Sequence, residues 1–226
     1  MASLMTGVSP DVHGILADSI HLPRSRRRLE PLPELLRAER YPSSAFMAAI
    51  PALYRGVANR IARKLGFDEA RFCGTGASEV LLSARNALKA QRRGLIFLHW
   101  ADADRAGHDH GWMSPAYADA ARHLDRSLGL LVSGTDVLAD PGTMLIALAD
   151  HGGGGAPDLK HHEIEHPVNR TIPIILAGGV VAHRQLGGAG LIDVPATVLG
   201  ALGVTQPHSY EGRSLLADAG PNAAVA

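Results

Sequence analysis

Asp104 and His108 stand four residues apart, and Asp150 and His151 stand side by side. A carboxylate oxygen paired with an imidazole nitrogen is a donor set that suits Zn²⁺, Mn²⁺ and similar divalent ions. Two such pairs in one chain read as two halves of a metal site. Three more histidines, His161, His162 and His166, lie between Asp158 and Pro173, and one of them could complete a three-ligand set. Two ions about 3.5–4 Å apart would activate a nucleophile and clamp the oxygens of a phosphoryl or sulfuryl group. Either pair alone is compatible with an ordinary polar loop. The functional reading rests on finding both, each just after an apolar run. Gly152 to Gly155 is not a phosphate cradle of the P-loop kind, because the Lys-Ser/Thr that must follow is missing. Trp100 and Trp112 read as packing residues, His99 as a strand residue, and His21, His123, His183 and His208 receive no role.

The elements that must carry these residues follow from periodicity. Leu95 to Leu98 is a short apolar run of the kind that forms a buried strand, and it gives way to a polar loop with Asp102, Asp104, His108, Asp109 and His110. Thr143 to Ala149 repeats the pattern and ends at Asp150-His151. In open α/β sheets ligands sit beyond the carboxyl ends of strands, which is where both pairs would fall. Ser44 to Ile50 and Thr171 to Ala177 are two further candidate strands.

Helices are expected over Leu32 to Glu39, Leu53 to Leu65, Ala77 to Gln91, from Pro115 toward Gly134, and over Val194 to Leu202. Leu53, Val57, Ile61 and Leu65 recur at the spacing of one buried helix face, closed by Gly66. Ser114 and Pro115 are an N-cap and a first helical residue. Ala2 to Thr6 reads as the last turns of a helix with Gly7 as its C-cap, and Val8 to Ile15 as a Pro/Gly loop. Such a helix is normally fed by a strand, which would precede Met1. Strands alternating with helices predict an α/β fold with a mostly parallel sheet flanked by helices on both faces. One domain is expected over residues 1–226, with a frayed tail from about residue 217.

Composition narrows the partners. The 226 residues hold 22 Lys and Arg against 22 Asp and Glu, so no net charge points to nucleic acid or to an anionic membrane. The basic cluster at residues 24–28 reads as a solvated loop. A single cysteine, Cys73, excludes an internal disulfide framework and a thiolate metal site, whereas 12 histidines supply ample imidazole. No apolar run approaches the ~20 residues that span a bilayer, and no signal peptide is visible. Compartment and oligomeric state are not encoded in any motif.

Four segments, in order, resemble the alkaline phosphatase superfamily in its type I phosphodiesterase/nucleotide pyrophosphatase branch. Thr6-Gly7-Val-Ser-Pro-Asp-Val-His13-Gly14-Ile15 is similar to the T-G-x-x-P-x-x-H-G-I stretch that follows the family's nucleophile. Asp104-Arg-Ala-Gly-His108-Asp-His-Gly111 resembles its D-x-x-G-H-x-x-G motif, and Asp150-His151-Gly152 its D-H-G motif. Arg170 to Gly178 and Asp193 to Gly203 resemble its closing strand and helix. The resemblance implies an alkaline-phosphatase-like core and two divalent ions, zinc first and manganese second. Asp104 and His108 would bind one ion and Asp150 and His151 the other. His166 would be the third ligand of the first ion, with His162 the next choice. The implied activity is metal-dependent hydrolysis of a small phosphate ester or nucleotide.

Aligned on Thr6-Gly7, the family's first strand, a metal-binding Asp and its Thr or Ser nucleophile would all fall before Met1. The resemblance therefore implies an N-terminally incomplete core, an incomplete second site and impaired activity in the chain as given. Ser3 and Thr6 fall too late in the motif to replace the nucleophile. The alternatives are a non-catalytic protein that keeps the metal site Asp104/His108/His166, or the same fold with sulfatase or phosphoglycerate mutase chemistry. A mutase would need a large inserted domain for which this chain has little room.

Overall fold

The computed structural model describes residues 1–15, 29–91, 93–155, 159–162, 166–179, 181 and 187–216. The basic cluster at 24–28, His21, Asp158, His183 and the tail from 217 lie outside the described residues. In chain order the elements are α1 (Ala2–Thr6), α2 (Pro10–His13), α3 (Leu32–Ala38), β1 (Ser43–Met47) and α4 (Ala52–Leu65). Next come β2 (Glu69–Phe72), α5 (Ala77–Ala90), β3 (Leu95–His99), α6 (Asp102–His110) and α7 (Pro115–Ser133). β4 (Met144–Leu148), α8 (Pro167–Arg170), β5 (Ile174–Gly178) and α9 (Asp193–Ala201) complete the described set. Together they form a mixed α/β fold containing a parallel sheet flanked by helices. The chain divides into two compact units.

The unit made of Tyr41–Asp136 and His151–Pro173 holds the parallel sheet, in the order β2-β1-β3. β1 lies between its neighbours with Phe46 opposite Arg71 on one side and Leu98 on the other. Side chains alternate across a strand, so Phe46 and Leu98 share one face and Ala45 and Phe97 the other. On the first face Phe46 packs with Val80 and Ala84 of α5, joined by Leu88, Ile96 and Trp100. On the second, the Phe97 ring meets Phe67 at 6.3 Å between centroids. The three strands point the same way, so Met47, Phe72 and His99 end at one edge, and α6 starts just past His99. β2 has no counterpart in the sequence reading. Its four residues, Glu-Ala-Arg-Phe, are too short and too charged to show a strand period.

Two expectations are corrected here. Residues 102–110 form a helix, not a polar loop. Asp102 and Asp104 occupy its first turn and His108 and His110 its last, the arrangement a helix dipole favours. The segment is polar throughout, so it shows no apolar period and reads as a loop. The face assigned to α4 is also not buried as a whole. Ala62 is buried, but Leu53 is 83% and Val57 53% exposed.

The other unit comprises Met1–Arg40, Val137–Asp150 and Ile174–Ala226. α1, α3 and α9 pack together, and Leu4, Met5, Leu36, Val194 and Leu199 on them are buried. The residues expected as a Pro/Gly loop contain a short helix, α2. Ser9 precedes it, Pro10 is its first residue and Gly14 closes it in the left-handed region. Gly7 caps α1 as expected, at φ 63°, and Glu211 and Gly212 both donate backbone hydrogen bonds to its carbonyl. The Tyr210 ring lies where a β-carbon on Gly7 would be, so this approach requires glycine. Tyr210 donates its hydroxyl hydrogen to the Glu30 carbonyl, and burial together with the Glu30 charge pushes its phenol above the ordinary range.

In the same unit β4 pairs antiparallel with β5, with Ile146 opposite Leu176. The expected parallel pairing does not extend to this pair. A parallel crossover needs a dozen or more residues, usually a helix. The segment between β4 and β5 contains only the four-residue α8 among its described residues.

Candidate metal centre

α6 brings Asp104 and His108 together because residues four apart lie on the same helix face. Asp104 Oδ1 stands 3.5 Å from His108 Nε2 and 3.7 Å from His151 Nε2. Both separations exceed a hydrogen bond to this acceptor. The carboxyl group as a whole is partly exposed, yet Oδ1 is sealed from solvent and accepts no hydrogen bond. Asp104, His151 and His162 each offer a ligand atom, and these atoms lie within 4.8 Å of one another. The His151 and His162 rings stack at 3.8 Å between centroids.

The second nitrogen of each ring fixes which tautomer faces Asp104. His108 Nδ1 donates to the Lys160 carbonyl at 2.9 Å, and His151 Nδ1 donates to the Gly152 carbonyl at 2.8 Å. A carbonyl only accepts, so the neutral rings carry their protons on Nδ1 and turn the Nε2 lone pairs toward Asp104. With Nδ1 donating, both Nε2 atoms face the carboxylate oxygen. That arrangement is repulsive alone and favourable around a cation, and metal-bound histidines are commonly oriented through the opposite ring nitrogen in this way. The donor set is oxygen and nitrogen without sulfur, which suits zinc or manganese.

The surrounding residues hold these groups in place. Trp112 is buried, with its ring edge-on to His108 at 5.0 Å, and its backbone N–H donates to Leu159. Gly107 is a helical position where a β-carbon would strike the Trp112 ring, and a β-carbon on Gly153 would strike the same ring. The glycine run after His151 serves close packing against Trp112, the Val168 carbonyl and His166. Buried Asn169 locks the run, accepting from Gly155 N–H through its side chain and from Gly152 N–H through its carbonyl.

At the other end of α6, Asp102 Oδ1 accepts from the Ala77 N–H that opens α5, and Arg105 donates to the Thr75 carbonyl. Thr75 in turn donates from its backbone and hydroxyl to Glu79, holding that carboxyl below its usual range. These contacts fix α6 against the loop after β2. Sequence reasoning read Trp112 as a packing residue, which it is, and missed Asn169 and the Asp102 cap as supports, because both act on segments distant in sequence.

The remaining expected site residues stand as follows. His166 precedes α8 as its N-cap, where Nδ1 accepts from the Val168 N–H at 3.2 Å. His161 lies 5.9 Å from His108 between ring centroids. Asp150 is half-buried just past β4, within the unit that carries the antiparallel pair. Ser3 and Thr6 are both engaged. His13 Nδ1 accepts from Ile15 N–H, so its Nε2–H donates to Ser3 Oγ at 3.0 Å, while Thr6 donates to the Ala2 carbonyl.

Comparison with known proteins agrees with this architecture. Residues 1–196 match the family described as type I phosphodiesterase / nucleotide pyrophosphatase. A 2,3-bisphosphoglycerate-independent phosphoglycerate mutase from Cereibacter sphaeroides is 34% identical over 125 residues, covering 54% of this chain and 23% of that protein. The chain thus spans about a quarter of the length of the curated relatives it matches. Among solved structures, the phosphonate monoester hydrolase from Silicibacter pomeroyi superposes with a TM-score of 0.64 at 15% identity. That match covers 95% of this chain and 65% of the other. The C-terminal periplasmic domain of EptC from Escherichia coli, in complex with zinc, gives a TM-score of 0.61 at 13% identity over 90% of this chain and 67% of that one.

Proposed function

Because the chain belongs to the type I phosphodiesterase / nucleotide pyrophosphatase family, we propose that it serves metal-dependent hydrolysis of a small phosphoric ester, either a phosphodiester or a nucleotide pyrophosphate. Asp104, His108, Asp150 and His151, together with His162 or His166, are the proposed holders of the divalent ions. The observation that carries this reading is Asp104 Oδ1, buried, without a hydrogen bond, and faced by His108 and His151. Zinc is the first choice, supported by the oxygen and nitrogen donors and by the zinc in the EptC domain.

A bound divalent ion would supply Lewis-acid polarisation of the phosphoryl oxygens. The chain's own residues prepare that site. The Lys160 and Gly152 carbonyls orient the two imidazoles, Trp112 walls off one side, and Asp102 and Arg105 hold α6 in register. No nucleophile is assigned within the chain, since Ser3 and Thr6 are held by structural hydrogen bonds. That engagement favours a second reading, a metal-binding protein without turnover. The likeness to the mutase covers under a quarter of that enzyme, and its activity is not carried over.

Elemental analysis of the purified chain, beside hydrolysis of a chromogenic phosphodiester with added zinc or manganese, tests both readings. Bound metal with turnover lost on Asp104→Asn supports the hydrolase. Bound metal without turnover favours the second reading, and absence of any bound metal after zinc loading defeats both.

A further inference from the structure

Whole-chain neutrality conceals a local imbalance on α4. Its 14 residues include Arg55, Arg60, Arg63 and Lys64 and not one acidic residue. Leu53, Tyr54 and Val57 in its first two turns are 83%, 50% and 53% exposed. Gly56 between them has open space where a β-carbon would stand. The other half of the helix is anchored: Ala62 is buried, Ile61 and Leu65 are half-buried, and α4 packs on the edge strand β2. We propose that the exposed face of α4, with Leu53, Tyr54 and Val57 near its start and the four cations along it, is a docking surface for an anionic lipid bilayer.

The argument is one of charge and shape. Basic residues beside an apolar strip are the signature of helices that lie in the membrane interface. A second copy of α4 is a poor occupant, because it would set four cations against four cations. The sheet holds one side of α4, and a lipid surface needs only the exposed one. No described helix is long and apolar enough to cross a membrane, and surface docking does not require one. The proposal is independent of the metal centre.

The test is sedimentation of the purified chain with phosphatidylcholine vesicles, with and without phosphatidylserine. Binding is expected only to the anionic vesicles, at roughly 0.1 M salt, and is lost near 1 M, where the screening length shrinks to about 3 Å. Arg60→Gln with Lys64→Gln should weaken binding roughly thirtyfold, and Leu53→Glu with Val57→Glu should abolish it. All four positions are exposed or at the helix surface, and thermal melts check that the variants remain folded. Equal binding to neutral and anionic vesicles overturns the proposal, as does failure to bind either, or wild-type binding by folded variants. A wild-type dimer that Leu53→Glu dissociates would instead assign the face to a second copy.

Discussion

Asp193 and Asp104 are both acidic residues in the first turn of a helix, and their oxygens meet opposite fates. Asp193 is buried with both oxygens occupied, Oδ1 accepting from the Arg213 N–H at 2.9 Å and Oδ2 from the Gly190 N–H at 2.8 Å. Asp104 has a sealed oxygen that accepts nothing and faces two imidazole nitrogens. The histidines divide the same way. His13 accepts through one nitrogen and donates through the other, so its ring is fully used by the fold. His108 and His151 use Nδ1 for orientation and turn Nε2 toward the carboxylate. A polar residue whose lone pairs are all matched holds structure together. Asp104 Oδ1, sealed and without a hydrogen bond between two facing imidazoles, is positioned for something else, and a cation is what that point would favour.

The sharpest way to break this contrast is to replace both carboxylates by amides. Asp104→Asn should lower zinc affinity by more than the roughly 10–100-fold typical of losing a supporting outer-shell partner. In chelator it should leave folding stability unchanged or raised, because Oδ1 accepts no hydrogen bond that the amide would lose and an amide N–H there can donate to a facing imidazole. Asp193→Asn should do the reverse, leaving metal affinity alone. Its amide can accept only through one oxygen, so one backbone N–H loses its partner at a cost of about 1–3 kcal/mol. Calorimetric zinc titration and urea melts measure the two effects. If metal-free Asp104→Asn loses as much stability as Asp193→Asn, the distinction between the two sites collapses.

Zinc itself provides the next test. A ligand that binds only the folded chain stabilises it by about 2.7 kcal/mol at a hundred times its dissociation constant. The wild-type melting temperature should therefore rise with zinc and fall back with chelator, while Asp104→Asn stays flat. Close behind comes a pair of glycines. Gly7→Ala forces a β-carbon into the Tyr210 ring at a left-handed φ of 63°, and strain of this kind costs about 1–3 kcal/mol. Gly107→Ala sits in a helix, where alanine gains about 1 kcal/mol of propensity, but it must displace the Trp112 ring that packs on His108. Its loss should register in zinc affinity more than in stability. Equal behaviour of the two variants in both measurements would show that Trp112 does not support the metal centre.

The sequence revealed most where a signal is local and repeated. β1, β3, β4 and β5 fall on apolar runs, and α7 starts at the expected Ser114-Pro115, with Ser114 Oγ accepting from Tyr117 N–H. Asp104 and His108 were legible as a pair from spacing alone. That they lie on a helix was not, because α6 has no apolar stripe and its order comes from Asp102, Arg105 and Trp112 contacts distant in sequence. The approach of His151 and His162 to Asp104 was equally hidden, since it depends on how the glycine run and Asn169 fold the segment back. α4 shows the converse error. Its period correctly predicted a helix, but a period cannot tell which part of an apolar face will find a neighbour, and Leu53 and Val57 find none among the described residues.

The smallest expected effect tests the satisfied side of the contrast. Burial, aided by the α-amino charge of Met1, pushes the His13 imidazole below its ordinary value, and the hydrogen bond from Ile15 N–H to Nδ1 requires the neutral ring. As pH falls below about 6.5, unfolded chains take up this proton before folded ones do. The stability His13 contributes is therefore complete above that pH and is lost progressively as the solution is acidified toward the folded value. Urea midpoints in chelator, at about pH 7.5 and about pH 5.5 on either side of the ordinary imidazole value, should show a larger acid loss for wild type than for His13→Gln. Both proteins carry the same remaining ionisable groups, so the difference between the two slopes isolates His13. Parallel slopes would mean that His13 takes up its proton without resistance. The fully matched histidine would then be no more committed to the fold than those that face Asp104.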